Sequence, residues 1–366
     1  MLEGILRAAG YRTALYTSPH LLRYNERVRV GGGEASDAAL CEAFAAVERA
    51  RDGVALTYFE FGTLAAWWLF AREAPDAAIL QVGLGGRLDA VNSLEPDAAV
   101  LTSIAIDHAD FLGATREDIG REKAGILRGG KPAVIADPDP PRAVLESAQR
   151  LGARLLLIGR DFGYHAQPAQ WSYWGPAVKR SGLAYPSLRG AIQLRNAAAA
   201  IAALDALREK LPVSAQDIRR GLAEVALPGR FQVLPGRPQV ILDVAHNPQA
   251  AAVLAGNLQA SGYAPEIHAV FGMLRDKDIA GVVRAIAPRI TRWHLASLGG
   301  ARGTASSELA QILAAEGVRA PVGEHESPAA AYAAARGTAH ENDKIIVFGS
   351  FLTVAEVMAK LEGRNG

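Results

Sequence analysis

Side chains that could do chemistry are concentrated between positions 79 and 127, which read ILQVGLGGRLDAVN, then VLTSIAIDHADFLG, then IGREKAGIL. Two apolar runs in this segment each end in a polar loop. Asp89 lies in the first loop and His108 in the second, and Lys123 follows in a helical pattern. In an open α/β sheet, loops at the carboxyl ends of the strands build the binding site. These residues therefore predict metal, phosphate or nucleotide chemistry at such an edge.

The elements that must position these residues alternate between strand and helix patterns. This alternation predicts an α/β fold with mostly parallel sheets, and the aromatic, Gly-rich and Pro-rich stretch 162–188 predicts short antiparallel strands. A second alternating series follows Leu227-Pro228-Gly229. We therefore predict two doubly wound domains, residues 1–228 and residues 229–366.

Composition excludes several classes of protein. A net charge of +1 over 366 residues gives no general affinity for nucleic acid or for an anionic membrane. The one cysteine, Cys41, cannot form an internal disulfide, which fits a reducing cytosol. The longest apolar stretch, 62–71, is far short of the roughly 20 residues of a membrane span, and the amino terminus is unlike a signal peptide. We expect a cytoplasmic protein that acts on small molecules.

Each motif in the first part also has an ordinary structural explanation. The turn at Gly83–Gly86 does not match G-x-G-x-x-G, which favours backbone packed against a ligand, or a plain tight turn, over a dinucleotide site. His108 lies between Asp107 and Asp110 after a strand, which favours a cation site over a surface histidine. By spacing alone, Lys123 is more simply a solvated helix residue.

Two motifs in the second part leave alternatives open. Asp243 ends an apolar strand in the string DVAHNP, which fits a helix start and a ligand site about equally. Arg230 lies at the predicted domain junction, where an arginine could form an interdomain ion pair or hold a phosphate.

Nine segments, in the same order and spanning nearly the whole chain, resemble the folylpolyglutamate synthase family of the Mur ligase superfamily, in particular its bacterial bifunctional dihydrofolate synthase/folylpolyglutamate synthases. They are YTSPHLLRYNERVRV, LTYFEFGTL, VGLGGRLDAVN, TSIAIDHADFLG, IGREKAGI, LPGRFQV, DVAHNPQAA, GMLRDKD and GSFLTVAEVM. The resemblance implies an N-terminal P-loop-type ATPase domain and a C-terminal Rossmann-like domain. It implies a ligase in which ATP phosphorylates a carboxylate of a pterin-bearing substrate and L-glutamate attacks the acyl phosphate.

The resemblance also implies roles for individual residues. We expect a monomer whose ligands are ATP, two magnesium ions, dihydropteroate, folates and L-glutamate. Lys123 matches a lysine that is carbamylated and helps to hold the second magnesium. The implied residues are Ser18, Gln81 and His108 for magnesium, Lys123 and His246 for catalysis, Asn196, Arg230 and Asp243 for ATP, and Thr57 and Ser350 for substrates.

Three departures from the family pattern accompany this resemblance. The Gly-Lys-Gly-Ser/Thr phosphate-binding string does not occur, so we expect that the first strand and P-loop are missing and that the chain as given binds ATP weakly. Gln81 stands where the family has a magnesium-binding Glu, and Leu352 stands where a His is usual. The alternatives are an impaired or non-catalytic pterin-binding remnant of the same fold, and a ligase for another carboxylate, which the Thr57 context disfavours.

Overall fold

The computed structural model describes residues 1–190 and 192–363, which form two compact units. The first unit comprises Met1–Ser187 and Gln193–Val225, and the second comprises Leu188–Ile192 and Ala226–Gly366. Both units combine helices with β-sheets, so the predicted α/β class is confirmed. The domain boundary between residues 228 and 229 stays a prediction.

Up to Val225, ten strands accompany the helices among the described residues. The helices are α1 (Leu2–Ala8), α2 (Asp37–Ala50), α3 (Tyr58–Glu73), α4 (Ala109–Leu112), α5 (Arg116–Lys123), α6 (Arg142–Leu151), α7 (Ile192–Ala206) and α8 (Ala215–Glu224). The strands are β1 (Thr13–Tyr16), β2 (Val28–Val30), β3 (Gly33–Glu34), β4 (Ala77–Leu80), β5 (Ala99–Leu101), β6 (Pro132–Ile135), β7 (Arg154–Leu157), β8 (Gly163–Ala166), β9 (Trp171–Trp174) and β10 (Lys179–Leu183).

The strands of the first unit form three sheets. One has the order β3-β2-β1-β4, in which only the β1–β4 pair is parallel. A second, β5-β6-β7, is entirely parallel. The third, β8-β9-β10, is antiparallel, as the stretch 162–188 predicts. The parallel strands are thus divided between two sheets, because no ladder of hydrogen bonds within the described chain joins β4 to β5.

The second unit is built around one six-stranded sheet. Its order is β11-β12-β16-β13-β14-β15, and every pair except β11–β12 is parallel. The strands are β11 (Gln232–Leu234), β12 (Gln239–Leu242), β13 (Ile267–Phe271), β14 (Arg292–Ala296), β15 (Val322–His325) and β16 (Lys344–Phe348). The helices are α9 (Pro248–Ala260), α10 (Ile279–Ile286), α11 (Ser306–Ala315), α12 (Pro328–Thr338) and α13 (Phe351–Glu362).

The core of the second unit explains why its sheet is continuous. All five residues of β16 are buried, as expected for a central strand covered by helices on both faces. Phe271, Trp293 and Phe348 pack together on one face, with ring centroids 4.9 to 6.3 Å apart. Apolar packing therefore fixes the strand ends on which a site can be built.

Candidate active site

In the first unit, the carboxyl ends of β1 and β4 bring Ser18 and Gln81 together. The Gln81 N–H donates to the Tyr16 carbonyl at 2.9 Å, which extends the pairing of the two strands by one residue. The Gln81 amide nitrogen donates to the Ser18 carbonyl at 3.1 Å, and the Thr17 hydroxyl donates to the Gln81 amide oxygen. Two residues predicted as metal ligands therefore lie in one hydrogen-bonded group of oxygen atoms.

The glycine-rich turn after β4 is held by the carboxylate of Asp89. One carboxylate oxygen accepts the N–H groups of Gly83 and Leu84 at 3.0 and 2.9 Å, and the other accepts the N–H of Val91 at 2.9 Å. Gly85 has φ +67°, a conformation that disfavours other residues. The sequence marked Asp89 as part of the loop, but its role in shaping the turn depends on contacts that spacing does not reveal.

The same turn is fastened to the end of α5, where Lys123 lies. A Cβ on Gly86 would lie 2.8 Å from the Glu122 carbonyl oxygen, so only glycine permits this approach. The Arg87 N–H donates to that carbonyl at 2.8 Å, and the Arg87 guanidinium pairs with the Glu122 carboxylate at 3.0 Å. These contacts fix Lys123 relative to the turn.

Lys123 is partly enclosed and lies near carboxylates from both loops. Burial lowers the pKa of Lys123, and the charges of Asp107 and Asp89 oppose that shift. His108 adjoins Asp107, has φ +53°, and donates its backbone N–H to that carboxylate at 2.8 Å. The two polar loops thus meet around Lys123, although the strands before them, β4 and β5, belong to separate sheets.

Thr57 caps the amino end of α3 in the first unit. Its hydroxyl accepts the Glu60 N–H at 3.2 Å, and the Glu60 carboxylate accepts the Thr57 N–H at 2.7 Å, which is a capping box. The Phe59 ring closes on the glycine turn, where a Cβ on Gly83 would lie 2.6 Å from it. Thr57 therefore has a structural role, and it starts a helix that packs beside the turn.

In the second unit, Asp243 occupies a partly buried position just after β12. Its carboxylate accepts the N–H groups of Phe231 and Ala245, both at 2.8 Å. Burial raises the pKa of Asp243, while these two hydrogen bonds and the charge of Arg230 oppose the rise. Burial lowers the pKa of Arg230, whose guanidinium lies 5.1 Å from the centre of the Phe351 ring. Arg230 and Asp243 therefore share one local environment.

Ser350 and His246 lie at neighbouring strand ends of the same sheet. The Gly349 N–H donates to the Ala245 carbonyl at 3.0 Å, which joins the loop after β16 to the loop after β12. Ser350 caps α13 and accepts the Leu352 N–H at 3.1 Å. The Nδ1 of His246 lies 2.8 Å from the Val244 carbonyl, so in the neutral ring Nδ1 carries the proton and Nε2 the lone pair.

Asn196 is the predicted ATP-binding residue that lies in the first unit. It lies in the first part of α7, and its amide donates to the Gln193 side chain at 3.2 Å. Within the described residues, no hydrogen bond connects it with Ser18, Gln81 or Lys123. Its predicted role toward ATP stays a prediction, as do the roles of the other predicted site residues.

Two family models match the chain. The Mur ligase middle domain matches residues 63–204, and the Mur ligase glutamate ligase domain matches residues 229–351. The dihydrofolate synthase/folylpolyglutamate synthase of Escherichia coli K12 is 45% identical over 364 residues, which cover 100% of this chain and 83% of that protein. The chain therefore belongs to the dihydrofolate synthase/folylpolyglutamate synthase family of Mur ligases.

Solved structures agree with this assignment. The E. coli FolC in complex with DHPP and ADP superimposes with a TM-score of 0.95 at 44% identity, over 100% of this chain and 85% of that one. A bifunctional folylpolyglutamate synthase/dihydrofolate synthase with Mn, AMPPNP and L-glutamate bound gives a TM-score of 0.91 at 46% identity, over 99% of this chain and 85% of that one. The expected lack of the P-loop stays a prediction. Among the described residues, no helix is long and apolar enough to cross a membrane.

Proposed function

We propose that the chain is an ATP-dependent ligase that joins L-glutamate to dihydropteroate and to tetrahydrofolates. The observation that carries this proposal is the 45% identity to a dihydrofolate synthase/folylpolyglutamate synthase over the whole chain. Similarity of this extent, with matches to both Mur ligase domains, does not favour the non-catalytic alternative.

The proposed reaction has two steps. A carboxylate oxygen of the pterin-bearing substrate attacks the γ-phosphorus of ATP, which gives an acyl phosphate and ADP. The amine of L-glutamate then attacks the acyl carbon, phosphate leaves, and the nitrogen loses a proton to give the amide. Phosphorylation is needed because a carboxylate is a poor electrophile without a leaving group.

The first unit offers a set of donors suited to a hard divalent cation. Ser18 and Gln81 supply oxygen atoms at one strand edge, and His108 lies beside the Asp107 carboxylate. We assign the magnesium ions to Ser18, Gln81 and His108. When bound, magnesium offsets the negative charge that gathers where the phosphates of ATP meet a carboxylate.

Lys123 suits the role of a carbamylated lysine. Only a neutral amine adds to carbon dioxide, and burial lowers the pKa of Lys123 toward that form. Carbamylation would turn a cation that faces Asp107 and Asp89 into an anion, so this change requires cations close by. This requirement fits two magnesium ions at the site.

The second unit contributes the groups that we assign to ATP and glutamate. Arg230 is a cation suited to a phosphate, and Asp243 is fixed by two backbone N–H groups. We assign both to ATP, together with Asn196 of the first unit. The lone pair on Nε2 of His246 suits it to take the proton of the glutamate amine, and Ser350 lies at the neighbouring strand end.

The remaining assignments concern the pterin substrate, the binding partners, the oligomeric state and the cellular location. We propose that Thr57 contacts the pterin substrate, because it begins the helix that packs beside the glycine turn. We propose that the partners are small molecules alone, without nucleic acid or membrane, and that the protein is a cytoplasmic monomer. The near-neutral net charge of +1 supports the proposal that nucleic acid and membranes are not among the partners.

The test is a ligation assay with the full chain. We expect a product one glutamate heavier than dihydropteroate by mass spectrometry, with ADP released only when dihydropteroate, glutamate and magnesium are all present. Because the Gly-Lys-Gly-Ser/Thr string does not occur, ATP is raised well above the usual assay range. A folded protein that binds dihydropteroate but forms no such product at any ATP concentration would overturn the proposal.

A further inference from the structure

Three polar side chains meet at the amino ends of the strands in the second unit. Glu266 comes just before β13, His268 lies within it, and Asp343 comes just before β16. These two strands are parallel neighbours, with Ile267 opposite Lys344, so the three side chains converge at one corner of the sheet. Asp243 and Ser350 follow the carboxyl ends of strands in the same sheet, so this cluster is separate from the proposed ligase site.

The cluster contains a buried nitrogen atom without a hydrogen bond. The His268 side chain is fully buried, and its Nε2 makes no hydrogen bond of good geometry. Nevertheless, Nε2 lies 3.2 Å from an Oε2 of Glu266 and 3.8 Å from an Oδ2 of Asp343. Leaving a polar atom without a hydrogen bond in the interior destabilises the folded state, so this arrangement calls for a partner.

The spacing of the three atoms fits a metal ion. Two ligand atoms at about 2.1 Å from a tetrahedral ion are separated by roughly 3.4 Å. The two distances from His268 Nε2, 3.2 and 3.8 Å, lie on either side of that value. An ion on the ring axis also places each carboxylate oxygen away from that axis. This explains how an oxygen at 3.2 Å from Nε2 fails to form a hydrogen bond with it.

The surroundings hold the ligand atoms in place. His268 Nδ1 lies 3.2 Å from His294 Nε2, and the two rings are stacked at 5.5 Å. A proton on Nδ1 would fix the tautomer in which Nε2 carries the lone pair that a metal needs. The Asp343 carboxylate accepts the backbone N–H groups of Glu266 at 3.1 Å and His340 at 2.7 Å, which orients it toward the cluster.

The competing explanation is an ion-pair network around Arg292. Its Nε lies 3.6 Å from the same Oε2 of Glu266 and makes no hydrogen bond. This contact accounts for the charge of Glu266. It leaves His268 Nε2 and the buried Asp343 carboxylate facing each other without a shared cation.

We propose that Glu266, His268 and Asp343 form a binding site for a divalent transition-metal ion of the Zn²⁺ type. One imidazole nitrogen and two carboxylate oxygens are a donor set that zinc accepts, with water in the fourth position. The ion links β13 to β16 at the end of the sheet that does not carry the ligase residues, so its effect is on stability.

The test counts Co²⁺ ions bound to the chelator-treated full chain and follows the thermal midpoint with added Zn²⁺. Glu266→Gln is the main variant, because Glu266 is half-exposed and its loss should not prevent folding. Glu324→Gln, an exposed glutamate of the same unit, is the matched control. His108→Gln weakens the proposed magnesium site of the first unit, so it distinguishes Co²⁺ bound there from Co²⁺ bound at the Glu266–His268–Asp343 site. His268→Gln is added as a direct ligand change.

We expect Glu266→Gln to bind Co²⁺ at this site at least about tenfold more weakly and to lose most of the Zn²⁺-dependent rise in thermal midpoint. Glu324→Gln and His108→Gln should keep both properties of the site. Equal Co²⁺ binding by the Glu266→Gln and Glu324→Gln variants would overturn the proposal. So would a wild-type thermal midpoint that Zn²⁺ leaves unchanged, which would identify the ion-pair network around Arg292 as the sole role of the cluster.

Discussion

The carboxyl-end edges of the two units organise their proposed functional groups in different ways. In the second unit, one continuous sheet carries Asp243, and backbone N–H groups hold its partly buried carboxylate. In the first unit, two separate sheets contribute loops, and the side chains of Asp89 and Gln81 hold the segments that follow β4 and β1. The carboxylate in the second unit thus has Arg230 as a neighbouring cation, whereas in the first unit two carboxylates, Asp107 and Asp89, lie near one lysine, Lys123.

This difference divides the expected chemistry between the units. Around Lys123, the neighbouring charges are the carboxylates of Asp107 and Asp89, so metal and carbon dioxide should control activity there. Around Asp243, the partners are fixed amides and Arg230, so substitutions should change nucleotide use without changing metal dependence. Four predictions test the contrast, beginning with the largest expected effect.

Replacing Lys123 should have the largest effect. Lys123→Ala removes the amine that we expect to be carbamylated, and turnover should fall roughly 10²- to 10³-fold, as when a group that stabilises transition-state charge is lost. Short-chain carboxylates should restore part of the rate because they supply the missing anion. Steady-state kinetics with Lys179→Ala, an exposed lysine of the same unit, is the control. Normal turnover in Lys123→Ala would show that Lys123 is only a helix residue.

Replacing Arg230 tests the proposed ATP-binding group at the carboxyl-end edge of the sheet in the second unit. Arg230→Ala should raise the KM for ATP about tenfold or more, because a phosphate loses its cationic partner. The free energy of unfolding should fall by only about 1 kcal/mol, the typical value of a cation–π contact such as that with Phe351. The magnesium dependence should match that of Arg319→Ala, an exposed control. A large loss of stability with unchanged kinetics would instead identify Arg230 as a structural ion-pair residue.

The sequence predicts the proposed ligase residues better than it predicts how they are held. Asp243 and His108 follow apolar runs, so their positions at strand ends could be inferred from pattern alone. The division of the first unit into two sheets could not, because alternation gives the order of strands and not their pairing. The Glu266–Asp343 contact joins residues 77 positions apart, and only the register of β13 on β16 brings them together. A lone His268 in an apolar strand gives no such signal.

Replacing Asp89 should have a smaller effect, and it tests the hydrogen bonds by which its side chain holds the glycine turn of the first unit. Asp89→Asn keeps one acceptor oxygen and should lose one or two of the three hydrogen bonds from Gly83, Leu84 and Val91. Each lost bond costs about 1 kcal/mol, so chemical unfolding should show a loss of about 1–2 kcal/mol. Turnover should fall because the turn positions Lys123. Asp52→Asn, an exposed loop variant, should change neither quantity, and identical behaviour of the two variants would refute this role for Asp89.

Gln81→Glu should have the smallest effect of the four changes, and its effect should be on magnesium dependence. Its amide nitrogen donates to the Ser18 carbonyl at 3.1 Å, so Gln81→Glu exchanges a donor for a charged acceptor facing a carbonyl oxygen. Without magnesium, that contact is repulsive and the thermal midpoint should fall slightly. With magnesium, the added negative charge strengthens ion binding, so the concentration for half-maximal rate should fall several-fold. Gln167→Glu is a suitable control, because its side-chain oxygen already accepts a hydrogen bond from Gln170 and its exposed turn lies outside the site. If the magnesium titration of Gln81→Glu matches that of Gln167→Glu, then Asp107 or another carboxylate already supplies the charge, and Gln81 does not belong to the metal site.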